Sequence, residues 1–156
     1  MQNNTVALAA SLVVTIAVFL SVSTVATAQT APEDAKDYRT AVMTSLRGHV
    51  GAASMHVRGI VEDNGFLAVH AEGLARGAQE LKHLFPVGSN VGDSEALPII
   101  WEEPEEFQKV MENAEKATAA FSEAVAGGDK ATIGRAFRDV GAACRGCHDR
   151  FRVDQD

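Results

Sequence analysis

The chain has 156 residues, which leaves room for one domain. It carries 14 basic and 21 acidic side chains, a net charge of −7. That balance excludes the basic footprint a nucleic-acid binder needs.

The first element is an almost unbroken apolar run over residues 6–25, followed by Ala26-Thr27-Ala28, a small-x-small cleavage pattern ahead of Gln29. Residues 1–28 therefore read as a secretory signal, and the mature chain is expected to begin at Gln29 in the periplasm. The first five residues hold no Lys or Arg, and the run approaches the ~20 residues that span a bilayer. An uncleaved anchor, and with it attachment to the membrane, is the alternative at this end. No charged side chain precedes Glu33, so the mature region carries all the charge. It is uneven: residues 129–156 hold six basic and five acidic side chains, so residues 29–128 carry −8. Arg135 and Arg138 belong to an ordinary solvated helix face on this reading.

Pro32-Glu33-Asp34 opens the first predicted helix, with proline suited to a first turn and acids to a helix N-terminus. Its apolar stripe is Tyr38, Val42, Leu46, Val50, Ala53, Val57 and Ile60, and Asn64-Gly65 interrupts it. The second predicted helix runs from about Phe66 to Phe85, with Leu67, Ala71, Leu74, Ala78, Leu81 and Phe85 on one face, and Pro86 stops it. Residues 86–100 lack periodicity and read as a crossover loop. Pro104, flanked by two acidic pairs, starts a third helix that turns Phe107, Val110, Ala114, Ala117, Phe121 and Val125 inward and ends at Gly127-Gly128. Asp129 is suited to cap a fourth, whose stripe is Ile133, Phe137, Val140, Cys144, Cys147 and Phe151. The whole is an all-α, antiparallel four-helix bundle, whose core is a natural cofactor site.

The fourth helix carries Cys144-Arg145-Gly146-Cys147-His148, with the only two cysteines of the chain. Two thiols at this spacing can each add across a haem vinyl group, and the following histidine is placed to bind the iron. Two other chemistries use paired cysteines. A thioredoxin-like dithiol should follow a strand and open a helix, whereas this pair sits near a helix end. A zinc site wants a second ligand pair at short spacing, and none is visible. The motif therefore points to one covalently attached haem c per chain, which would enlarge the bundle core.

Four segments together resemble the class II c-type cytochromes, the cytochrome c′ family with its low-spin, methionine-ligated members. They are Tyr38-Arg39-Thr40-Ala41-Val42-Met43, Leu84-Phe85-Pro86, the stretch from Ala96 to Trp101, and Cys144-x-x-Cys147-His148-Asp149-x-Phe151-Arg152. The haem motif near the C-terminus is itself discriminating, since class I cytochromes carry it near the N-terminus.

The resemblance implies that His148 is the proximal iron ligand, that Arg152 lies beside it and raises the potential, and that Arg39 lies near a haem propionate. Trp101 and Phe107 would pack against the porphyrin. Met43 matches a position that either ligates iron or crowds its sixth site. A thioether is a soft iron ligand that raises the potential, but filling a core is the commonest job for methionine on an apolar face. Met55 and His56 lie three turns or more beyond Met43, out of reach of the same iron, and His49 lies two turns away. His70 and His83 have no partner at metal-ligand spacing and are expected to be exposed.

The leading expectation is a periplasmic electron carrier, not an enzyme, with His148 and Met43 as axial ligands and unidentified redox proteins as partners. The alternative is a cytochrome c′ with an open distal face that binds NO or CO, and a more distant one is a thiol–disulfide oxidoreductase using Cys144 and Cys147. Family members pair through their first two helices, so a homodimer is expected as well. Gly48, Gly51, Ala52 and Gly59 would allow that close approach, or make room for the haem.

Overall fold

A computed structural model of the protein describes residues 30–154. The expected signal segment, residues 1–28, lies outside them. Four long helices form the bundle: α1 (Pro32–Val57), α2 (Phe66–Glu80), α4 (Pro104–Gly127) and α5 (Lys130–Phe151). A 3-10 turn (Leu81–His83) extends α2, and a single turn, α3 (Ile99–Glu102), precedes α4. Among the described residues the backbone forms no strand, and none of these helices is long and apolar enough to cross a membrane.

The ends follow their local chemistry. Pro32 occupies the first turn of α1, with Glu33 and Asp34 beside it. The helix stops at Val57, well before Asn64-Gly65, because Gly59 adopts φ +69°. Its N–H donates to His56 O at 2.9 Å and the Ile60 N–H to Met55 O at 2.9 Å, a double C-terminal cap that only a left-handed residue completes easily. Ile60, assigned to the apolar stripe, consequently falls outside the helix and is exposed. Asp63 Oδ1 accepts from the N–H groups of Gly65 and Leu67 at 3.0 and 3.1 Å and so fixes the start of α2. Asp129 caps α5 as expected, accepting from Thr132 N–H at 2.8 Å.

The buried faces are largely those the spacing predicts. Leu67, Ala71, Leu74, Ala78 and Leu81 are buried from the second stripe, Phe107, Ala114 and Phe121 from the third, and Ile133, Val140 and Phe151 from the fourth. Tyr38 departs from the pattern: it is exposed, with its hydroxyl donating to Glu80 across to α2. One core cluster, centred on Ala53, Leu74, Phe121 and Val140, fills the half of the bundle around the α1–α2 turn. Two others, around Leu84 and Ala114 and around Phe107 and Phe151, fill the opposite half.

Beyond Phe151 the chain turns back onto the crossover loop. Leu97 N–H donates to Phe151 O at 3.0 Å, and Val153 N–H donates to Glu95 O at 2.8 Å. This tie holds the residues after the cysteine motif against residues 95–97.

Candidate haem site

The last two turns of α5 bring Cys144, Cys147 and His148 together, all half-buried. Cys144 packs against the cluster of Val140 and Phe121, and Cys147 against that of Ala96, Ile100, Phe107 and Phe151. The two sulfurs are not joined to each other. Burial pushes both thiols up: Cys147 reaches about 11, with Cys144 adding to the rise and Arg152 opposing it. A reactive dithiol needs its pKa lowered instead, which counts against the oxidoreductase reading. Among the described residues no third histidine, cysteine or carboxylate joins the pair to make a metal cluster, which counts against zinc.

His148 is held below the ordinary histidine value, first by burial and then by Arg152, with Asp149 and Glu95 opposing. It is therefore a neutral imidazole at neutral pH, the form that can donate a lone pair to a metal. Arg152 Nε is buried without a hydrogen-bond partner. The resemblance places an arginine beside the proximal histidine, and the electrostatic coupling of Arg152 to both His148 and Cys147 agrees with that placement.

Trp101 is anchored by its indole N–H, which donates to Phe85 O at 3.1 Å, and it shares a cluster with Cys147. Phe85, Phe107 and Phe151 meet edge to face, with centroids 4.7 and 5.0 Å apart. Met43 is half-buried on α1 and packs, with Ala143 of α5, against the cluster of Ala78, Leu81, Leu84 and Ala114. A methionine on α1 and the residue preceding Cys144 thus border the same apolar cluster. Met111 borders that cluster and the one holding Cys147. It is a second thioether at this end of the bundle that the sequence reading missed, although it follows Phe107 by one helical turn.

Arg39 makes contacts that the sequence does not predict. It is buried, and its guanidinium donates to Leu84 O (3.0 Å), Ser89 Oγ and O (both 2.9 Å) and Ser94 Oγ (3.0 Å). It also lies over the Phe85 ring, 5.0 Å from the centroid. These donors serve the crossover loop, so a carboxylate reaching Arg39 would share the guanidinium with it.

The residues present fit a covalent haem. Two protonated thiols one turn apart face the bundle interior, a neutral imidazole follows them, and aromatic rings line the adjoining cluster. α1 and α5, which bear Met43 and the cysteines, touch only sparsely, while α1 packs closely on α2 and α5 on α4. Cys144 and Cys147 would tether the porphyrin and His148 would face its iron.

Of the two histidines of the second helical stretch that are expected to be exposed, one departs from expectation. His83 is exposed. His70 is not: it is half-buried between His49 and His56 of α1, with His49 Nδ1 3.1 Å from His70 Nδ1. Gly48, Gly51 and Gly59 have open space where a side chain would stand.

The family model described as Cytochrome C' matches residues 34–152. The chain is 32% identical over 122 residues to a cytochrome c' from Pararhodospirillum photometricum, covering 78% of this chain and 98% of that one. Over 72 residues it is 51% identical to cytochrome c-554 from Cereibacter sphaeroides, 44% of this chain and 46% of that protein. Its fold superposes with a TM-score of 0.74 on a nitric oxide complex of a cytochrome c prime variant from Alcaligenes xylosoxidans, 30% identical and covering 80% of this chain and 97% of that one. A carbon monoxide-bound variant of the same protein matches equally well. Helical bundle, cysteine motif and family match converge: the chain belongs to the cytochrome c′ family and carries one covalently attached haem c.

Proposed function

We propose that His148 is the proximal iron ligand and that Met43 controls the opposite, distal face of the haem. When bound, haem c supplies an iron that changes oxidation state by one electron and can accept a diatomic gas. The observation that supports this assignment is that Met43 of α1 and Ala143 of α5, the residue before Cys144, border the same apolar cluster.

What Met43 does there separates two functions. Relatives matched over most of their length are cytochromes c', and solved ones include nitric oxide and carbon monoxide complexes. Those matches support binding of NO or CO, with Met43 crowding the distal face without bonding the iron. The second reading is favoured by the residue itself. A thioether is a competent iron ligand, and Met43 Sδ bonded opposite His148 would fill both axial positions and make an electron carrier. In neither case is a substrate chemically transformed, so the protein is not an enzyme.

We place the mature protein in the periplasm, on the signal-like segment of residues 1–28 and on c-type haem attachment outside the cytoplasm. Its partners would be redox proteins reached through the exposed haem edge. The absorption and spin-resonance spectra of the purified holoprotein separate the readings. A high-spin ferric spectrum with carbon monoxide uptake by the ferrous protein supports gas binding. A low-spin spectrum with a weak far-red band and no gas uptake supports the methionine-ligated carrier.

A further inference from the structure

Away from the haem site, three of the five histidines meet where α1 faces α2. His49 and His56 are two turns apart on α1, so both rings can point to the same neighbour. His70 of α2 meets both. Its Nδ1 lies 3.1 Å from His49 Nδ1, with ring centroids 5.4 Å apart. The His56 and His70 rings stack at 6.1 Å with 29° between their planes. All three side chains are half-buried, which leaves a path for a small ion.

The surroundings are shaped to this cluster. Gly73, one turn after His70, leaves the space that the His49 ring occupies: a Cβ there would stand 2.5 Å from His49 Cε1 and Nε2. His56 Nδ1 is buried with no hydrogen-bond partner. Asp63, whose carboxylate caps α2, is close enough to His56 to be coupled to it electrostatically.

We propose that His49 and His70 clamp a divalent transition-metal ion of the zinc, copper or nickel class between α1 and α2, with the His56 ring stacked beside them. A metal–imidazole bond is about 2.0–2.1 Å, so two nitrogens on one ion stand roughly 2.9–3.4 Å apart for angles from a right angle to tetrahedral. The separation of 3.1 Å falls inside that window. Two ring nitrogens facing each other across such a gap must share either a proton or a cation. Among the described residues no three ligands already converge on one point. His56, whose ring stacks on His70 and whose buried Nδ1 has no hydrogen-bond partner, is the imidazole beside this pair.

The chemistry is ligand exchange alone. Neutral imidazoles replace water on the ion, each ring keeping its proton on the other nitrogen, and no electron moves. Burial and the neighbouring rings hold His70 below the ordinary histidine value, which keeps it in the ligating form at neutral pH. The clamp is separate from the haem: along α1, His49 and His56 lie ~9 and ~20 Å beyond Met43 at 1.5 Å per residue.

The test is titration of chelator-treated holoprotein with zinc chloride at pH 7.5, followed by calorimetry while the haem absorbance is recorded. One zinc per chain should bind, raise Tm and leave the haem spectrum unchanged. His49→Gln and His70→Gln should each weaken binding at least about tenfold, whereas His83→Gln, at an exposed position, should not. X-ray absorption at the zinc edge of the wild type should show two or three imidazole nitrogens at ~2.0–2.1 Å. Absence of saturable zinc uptake, or uptake unchanged in the His49→Gln/His70→Gln double variant, would overturn the proposal. Should the variants fail to fold, a wild-type zinc spectrum without imidazole scattering does so independently.

Discussion

Arg39 and Ser89 are joined twice, through the serine hydroxyl and its backbone carbonyl, both at 2.9 Å. The first helix and the crossover loop are therefore one structural unit, locked four residues before Met43. A buried cation with only neutral oxygen partners is unusual, and burial lowers the Arg39 pKa from its ordinary value. The arrangement is retained because the fork of guanidinium donors satisfies several loop oxygens together.

Replacing this anchor should loosen the loop without unfolding the bundle. Arg39→Met leaves Leu84 O and Ser89 O without their donor, at a cost on the order of 3 kcal/mol for the pair. Urea denaturation of the holoprotein should show that loss, and amide hydrogen exchange should quicken over residues 84–97. An unchanged denaturation midpoint would mean that the hydrogen bonds contribute nothing.

Each cysteine tethers one side of the porphyrin on this account. Cys144→Ala and Cys147→Ala should each leave a single thioether, with haem yield reduced and the product heterogeneous. The double variant should lose covalent haem. Intact-mass measurement decides it: haem retained through denaturation in the double variant would refute attachment at these residues.

Phe121 is fully buried at the centre of the cluster with Leu74 and Val140, the cluster against which Cys144 packs. Phe121→Ala should cost about 3–5 kcal/mol through lost burial and the cavity left behind. Because Cys144 borders that cluster, any shift of the haem spectrum should be smaller than that of a Met43 variant. A spectral change comparable to that of a Met43 variant would show that the two halves of the bundle are coupled.

Acid should destabilise the α1–α2 contact through His70. Its folded pKa is lowered by burial and by His49 and His56, the titratable groups that face it from α1. Asp63, near the start of α2, faces His56. As pH falls below about 6.5 the unfolded chain binds the proton first, so stability is full above that value and declines as pH drops toward the folded pKa. Denaturation midpoints at pH 8 and pH 5 should differ less for His70→Gln than for the wild type. Equal losses would assign the acid sensitivity to other groups.

The parts legible in the sequence are those set by local spacing. Cys144, Cys147 and His148 are contiguous, so their grouping needs no knowledge of packing, and the stripes of α2, α4 and α5 follow from helical periodicity alone. The end of α1 was not legible in this way, because its apolar spacing continues smoothly to Ile60 and only the positive φ of Gly59 stops it. The anchoring of the crossover loop by Arg39 is not legible in the sequence, because its partners lie in a loop without periodicity, 45 to 55 residues away. The His49–His70 contact depends on the height at which α2 starts beside α1. The Asp63 cap and the Gly65 turn set that height, and helix spacing carries no record of it.

The central claim is that Met43 controls the distal face, and carbon monoxide affinity of the ferrous holoprotein tests it most directly. If Met43 crowds or occupies the position opposite His148, Met43→Ala should bind carbon monoxide at least tenfold more tightly than the wild type, a gain of about 1.4 kcal/mol or more. The variant should still fold, losing about 2 kcal/mol of packing. Equal affinities in the two proteins, with superimposable spectra before gas is added, would contradict the account and remove Met43 from the site.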